Sequence, residues 1–197
     1  MVINMDITIL GSTGSIGTST LDVVRQNRDR FWVYALVAGR NTDALISQIL
    51  EFHPSVAVVA DRNALDNLYK GLEKQGLPRG QWPELAAGPD ARVAAATASG
   101  VRFVMSAIVG VSGLEATYAA IRAKKRVGLA NKEVLVASGR LVMQAVRDAG
   151  AELIPVDSCR PGPPSFGNTT YSGTPGEWYS ARKALIAGFT SVQSPFM

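Results

Sequence analysis

Gly11-Ser12-Thr13-Gly14-Ser15-Ile16-Gly17 is the segment of this 197-residue chain with the clearest chemical meaning. It follows an apolar run at 6–10 and opens an amphipathic run at 14–27. Glycines at a strand-to-helix turn let a pyrophosphate come close to the backbone, and the free N–H groups and dipole of the helix start attract it. The spacing is Gly-x-x-Gly-x-x-Gly, and the strand–turn–helix setting separates it from a chance glycine match. The competing explanation is that the glycines serve helix–sheet packing alone.

A second chemical signal stands at the end of the next apolar run, which reads Val37-Ala38-Gly39-Arg40-Asn41-Thr42. An acid there binds a ribose 2′-hydroxyl, whereas a base accommodates a 2′-phosphate. Arg40, with no acid before it, favours NADP over NAD. The alternative makes Arg40 a solvated surface residue and Asp43 the ribose contact.

These residues need a frame, and the hydrophobic pattern supplies one. Apolar runs at 6–10, 32–38, 56–60, 101–106, 126–130 and 153–156 read as strands. Periodic segments at 14–27, 44–52, 64–75, 114–123 and 132–149 read as helices between them. Such alternation predicts an α/β fold: a doubly wound parallel sheet of Rossmann type. The strands are continuously apolar, as expected when helices cover both faces. From Cys159 onward the texture changes, because 15 of the last 39 residues are Gly, Pro or Ser. That composition predicts an irregular or disordered tail over 159–197.

Composition excludes several classes. With 47% hydrophobic and 18% charged residues the chain is not disordered throughout. One Cys rules out an internal disulfide and suits a reducing, cytoplasmic compartment. There is no run of 18 apolar residues for a membrane span, and residues 1–6 show no signal-peptide pattern. The net charge is +4, and the densest basic run, Arg122, Lys124, Lys125 and Arg126, falls at a helix-to-strand junction. Cations there meet the negative end of a helix dipole, so no nucleic-acid partner is expected. His53 reads as a surface or capping residue at a helix end, Trp32, Trp82 and Trp178 as core or loop anchors, and Met105 and Met143 as core filler.

Five motifs occur in order: ITILGSTGSIGTSTLDVV (7–24), ALVAGRN (35–41), AIVGVSGL (107–114), LANKE (129–133) and PVDS (155–158). Together they resemble the N-terminal domain of the 1-deoxy-D-xylulose 5-phosphate reductoisomerase family. The resemblance implies an NADPH-binding domain over 1–158. It also implies an enzyme that rearranges 1-deoxy-D-xylulose 5-phosphate and reduces the resulting aldehyde with NADPH to 2-C-methyl-D-erythritol 4-phosphate, in non-mevalonate isoprenoid synthesis. A divalent metal, Mg²⁺ or Mn²⁺, and a homodimer are implied with it. Carried over by position, Thr13, Gly14, Ser15 and Ile16 would hold the cofactor pyrophosphate. Gly39, Arg40 and Asn41 would meet the adenosine ribose and its phosphate, and Asn131 and Glu133 would contact NADPH near the nicotinamide. Lys132 and Ser158 would bind substrate as catalytic residues, and Asp157 would ligate the metal. On local chemistry alone, Asn131-Lys132-Glu133 is an ordinary helix start and Asp157-Ser158 an ordinary turn.

The similarity breaks after Ser158. The family continues with Glu, His and Asn, and that Glu is a second metal ligand; this chain has Cys159, Arg160 and Pro161. A thiol suits Mg²⁺ poorly, so the metal site is expected to be incomplete in this chain. Two alternatives remain. One is a catalytically inactive NADPH-binding fragment that pairs with a complete subunit. The other is a different NADP reductase of semialdehyde-dehydrogenase type, which needs a catalytic Cys near the chain's middle, and the one Cys is at 159.

Overall fold

The computed structural model describes residues 5–156. In chain order the elements are β1 (Met5–Leu10), α1 (Ser15–Gln26), β2 (Phe31–Val37), α2 (Thr42–Phe52), β3 (Val56–Val59), α3 (Arg62–Lys74), β4 (Glu84–Ala87), α4 (Pro89–Thr97), β5 (Val101–Ser106), α5 (Leu114–Arg122), β6 (Arg126–Leu129), α6 (Lys132–Ala149) and β7 (Leu153–Pro155). The strands pair in parallel in the order β4-β3-β2-β1-β5-β6-β7. This is the doubly wound sheet that the alternating pattern predicts; the tail at 159–197 lies outside the described residues.

Each face of the sheet has its own core because strand side chains alternate. Ile7 and Ile9 of β1 pack on one face with Leu21 and Val24 of α1, Leu45 and Ile49 of α2 and Leu68 and Leu72 of α3. Leu10 joins the other face, with Ala95 and Ala96 of α4, Ala116, Ala120 and Ile121 of α5 and Val142 and Ala145 of α6. Burying each large aliphatic side chain contributes about 1.5–3 kcal/mol. The small residues on α4 and α5 let those helices sit close to the sheet, and buried Thr8 donates to the Ala95 carbonyl at 2.8 Å.

The structure departs from the sequence reading in three places. Residues 76–100 carry no element by pattern, yet they form β4 and α4. β4 is a four-residue edge strand, Glu-Leu-Ala-Ala, without a β-branched residue, and the alanines of α4 make no visible stripe. The usable signal was Gly88-Pro89, with Pro in the first turn and Gly88 at φ 94°. The helix at 132–149 is interrupted at Ser138 (φ −144°, ψ 24°), beside Gly139, a Ser–Gly pair of the kind that kinks helices. Trp32 is half exposed rather than an anchor, while Trp82 does anchor its loop by donating from Nε1 to the Leu77 carbonyl at 2.7 Å; Trp178 lies outside the described residues. His53 caps α2 in the left-handed conformation, φ 46°, with its N–H on the Ile49 carbonyl.

Two residues of the basic run are engaged by the fold, while Arg122 and Lys124 are exposed. Arg126 pairs with Glu152. Lys125 is buried, and its Nζ donates to the Ala98 and Val101 carbonyls at 2.6 and 2.8 Å, tying β6 to the end of α4. Burial pushes the Lys125 pKa down. A lysine whose folded pKa lies below its unfolded one gains stability as pH climbs through the folded value towards the ordinary lysine range. Lys125→Met is therefore expected to cost about 1–3 kcal/mol in urea unfolding at neutral pH by orphaning those carbonyls. The gap to wild type should widen at alkaline pH.

Candidate nucleotide site at the switch point

β1 and β5 are neighbours, but their connections leave in opposite directions, since β1 to β4 run one way across the sheet and β5 to β7 the other. The crevice beyond their carboxyl ends is the topological switch point where open parallel sheets take ligands.

The turn after β1 is held from below. The N–H groups of Gly11 and Ser12 both donate to the Val37 carbonyl at the end of β2, at 2.8 and 2.9 Å. Gly14 N–H closes the turn on the Gly11 carbonyl at 3.1 Å. The first helical bond of α1 runs from Thr18 N–H to the Gly14 carbonyl, so the N–H groups of Ser15, Ile16 and Gly17 precede it and are left over at the helix start. No side chain caps α1, and its first turn holds no acid. Such a helix start can bind a phosphate or another anion.

The glycines divide by role. A Cβ on Gly17 would stand 2.3 Å from the Gly11 carbonyl oxygen and 2.6 Å from Ser12 backbone atoms. One on Gly11, at φ 86°, would meet the Ala107 carbonyl oxygen at 2.6 Å. Those two glycines let α1 and β5 close on the turn. Gly14 is exposed, and a Cβ there would meet only the Gly11 oxygen at 3.4 Å; around Gly39 there is nothing within 4 Å. Packing explains Gly11 and Gly17 but not Gly14 or Gly39, where room is left for a ligand.

Gly39, Arg40 and Asn41 are exposed at the carboxyl end of β2, beside the turn that hangs on Val37. The Asn41 side chain caps α2 by accepting from Ala44 N–H at 3.2 Å. Arg40, 83% exposed, donates from Nε to Asp61 at 2.8 Å. Asp61 also caps α3, and the Ala64 N–H and Arg40 hold its carboxyl below the usual carboxylate range. Sequence reasoning missed Asp61, because nothing in the sequence joins it to Arg40 across 21 positions. Asp43, the alternative ribose contact, lies in the first turn of α2, where an acid suits the helix dipole.

On the other side of the crevice, the loop after β5 is fixed by buried polar groups. Thr117 donates to the Gly113 carbonyl at 2.7 Å, so Ser106 donates to Thr117, at 2.6 Å. Asn131, only 3% exposed, donates from Nδ2 to the Ile108 and Gly110 carbonyls and accepts Val134 N–H at the start of α6. Its amide is thus engaged inside the protein, and it clamps the β5 loop to the β6–α6 turn. Asn131→Ala should cost about 2–3 kcal/mol by losing a cap and orphaning two carbonyls. Asn131→Asp should be at least as costly, because a carboxylate oxygen would face both carbonyls; urea unfolding of the two variants measures this.

Lys132 and Glu133 open α6 next to Asn131, two strand spacings from the turn, about 10 Å. The chain leaves β7 at the same edge of the sheet; Asp157 and Ser158 come next and lie outside the described residues, as does Cys159. Among the described residues no three His, Cys, Asp or Glu side chains gather as ligands for a metal ion, and no helix is long and apolar enough to cross a membrane.

The family model described as 1-deoxy-D-xylulose 5-phosphate reductoisomerase matches residues 7–139. The enzyme of that name from Solibacter usitatus is 62% identical over 152 residues, covering 77% of this chain and 38% of the relative. That from Paraburkholderia phymatum is 51% identical over the same length, covering 77% and 37%. This chain therefore spans under two fifths of the length of these curated relatives. Among solved structures, the reductoisomerase from Zymomonas mobilis in complex with NADPH is 46% identical, with a TM-score of 0.73 over 80% of this chain and 40% of that one. A reductoisomerase in complex with NADPH, fosmidomycin and magnesium is 36% identical, with a TM-score of 0.72 over 78% and 36%.

Proposed function

The chain belongs to the 1-deoxy-D-xylulose 5-phosphate reductoisomerase family, and we propose that residues 5–156 form the NADPH-binding part of an enzyme that makes 2-C-methyl-D-erythritol 4-phosphate. One observation carries this reading: an uncapped, acid-free helix start with an open Gly14 lies beside an exposed Arg40 at the switch point. The α1 start takes the pyrophosphate through Thr13, Gly14, Ser15 and Ile16. Gly39 leaves room for the adenosine ribose, Asn41 lies beside it, and Arg40 faces the 2′-phosphate. NADPH, when bound, supplies hydride to the aldehyde formed by rearrangement. Asn131 and Glu133 serve the nicotinamide end, Asn131 by fixing the β5 loop. Lys132 and Ser158 act on the substrate; a cation at Lys132 offsets negative charge developing on its oxygens.

The divalent metal, Mg²⁺ or Mn²⁺, would polarise substrate oxygens, and Asp157 would be its ligand from this chain. A small phosphorylated sugar as substrate, a homodimer and a cytoplasmic setting complete the proposal. Titration of the chain with NADPH and NADH, read by nicotinamide fluorescence, tests it. NADPH is expected to bind at least about tenfold tighter, the worth of one good charge-assisted contact. Equal affinities, or no binding, would refute the assignment.

One observation favours a second reading, an inactive NADPH-binding chain that pairs with a complete subunit. Cys159 stands where the resemblance implies a metal-binding Glu. In that case the chain binds NADPH and pulls down a complete subunit, but 1-deoxy-D-xylulose 5-phosphate with Mn²⁺ elicits no NADPH oxidation.

A further inference from the structure

Gln48 sits in the middle of α2, buried against the underside of the glycine turn. Its Nε2 donates to the Ser12 carbonyl at 2.9 Å, a contact between residues 36 apart in sequence. Every other part of α2's buried face is apolar: Leu45, Ile46, Ile49 and Phe52. A glutamine in that row costs stability unless its polar atoms are used. Only half of the amide is used, since Gln48 Oε1 and the buried Ser12 Oγ have no hydrogen-bond partner among the described residues. An apolar residue would satisfy packing without leaving an orphan acceptor, so the bond to Ser12 is the feature that stability alone does not explain.

The position of that bond gives it a role. Gly11 and Ser12 are tied to β2 through their N–H groups, and the Ser12 carbonyl is tied to α2 through Gln48. The cap of α2, Asn41, directly follows Arg40. One buried side chain thus links the turn that faces a pyrophosphate to the helix whose start carries the 2′-phosphate reader. With the Ser12 carbonyl engaged by Gln48, the trans peptide it shares with Thr13 directs the Thr13 N–H away from α2. We propose that Gln48 is a positioning residue for dinucleotide binding: it sets the glycine turn for the pyrophosphate from the helix that reads the adenosine end. The proposal rests on the NADPH reading above.

The test compares Gln48→Met, equal in length but without a donor, with wild type on two ligands and one ligand-free measurement. NADPH engages both ends of the site; 2′-AMP carries the phosphate for Arg40 but no pyrophosphate. NADPH should bind about three- to tenfold more weakly, the worth of one hydrogen bond, with 2′-AMP affinity unchanged. Amide hydrogen exchange at 11–17 should quicken while β1 and β2 stay protected. Should Gln48→Met fail to fold, Gln48→Asn, a methylene too short to reach Ser12, gives the same comparison. Equal weakening of both ligands, no weakening, or unchanged exchange at 11–17 overturns the proposal. If wild type binds no NADPH, the cofactor reading fails, and the exchange measurement still decides whether Gln48 holds the turn.

Discussion

Gly17→Ala is expected to weaken NADPH binding by about ten- to a hundredfold, the loss of charge-assisted bonds to the pyrophosphate. It should also lower stability by about 2–3 kcal/mol. The new methyl group would lie 2.3 Å from the Gly11 carbonyl oxygen and 2.6 Å from the Ser12 backbone. None of those atoms is the end of a flexible side chain, so α1 must move as a unit. In an unobstructed helix the same substitution is stabilising by up to about 1 kcal/mol; here the clash outweighs that gain. Gly14→Ala is the informative contrast. Its Cβ would meet only one atom, at 3.4 Å, and its backbone (φ −83°, ψ 172°) is open to alanine. Stability should fall by about 0.5–1 kcal/mol, the usual cost of alanine at a helix cap, while NADPH affinity drops because the methyl group occupies the space a pyrophosphate needs. Calorimetric titration beside urea unfolding separates the two effects. A Gly14→Ala protein with unaltered NADPH affinity would mean that the glycines serve packing alone.

Arg40→Ala carries the second large effect. Loss of a charge-assisted contact to a 2′-phosphate should weaken NADPH by about tenfold or more, while NADH affinity stays within error and the preference disappears. Arg40 is 83% exposed and its other partner is Asp61, which keeps its bond to Ala64 N–H without it. The substitution should therefore leave unfolding nearly unchanged. A parallel loss of NADPH and NADH would show that Arg40 acts on something other than the 2′-phosphate. The Asp61 carboxyl, held below the usual range, is charged at neutral pH and releases Arg40 only as pH falls through its lowered folded value. Preference for NADPH is thus expected to be flat between pH 6 and 8 as far as this pair is concerned.

What could be read from residues alone was local. The turn at 11–17 was legible because three glycines, an apolar run before and a helical stripe after all agree. Gly14 and Asn27 then prove to be the caps of α1, one residue outside the helix at either end. The sheet was legible because six apolar runs alternate with helices. β4 and α4 were not, since alanines and an edge strand of four residues bury too little to leave a pattern. The site's supporting contacts were not legible either. Asp61 reaches Arg40 across 21 positions, Gln48 reaches Ser12 across 36, and Asn131 reaches Ile108 across 23. Such pairs exist only once the sheet order is known. Asn131 illustrates the difference in kind: the motif marked it as a cofactor residue, and the fold places its whole amide in a clamp between two loops.

NADPH is expected to lie in the crevice between β1 and β5. Amide hydrogen exchange of the 197-residue protein, with and without saturating NADPH, locates the bound cofactor. Slowed exchange is expected at the glycine turn and the first turn of α1 (12–18), at the end of β2 and the start of α2 (39–43), and in the loop after β5 (108–113). Exchange at the far edge, around β4, should stay unchanged. NADPH-dependent protection that spares 12–18, or no protection at any of the three loops, would rule out that placement.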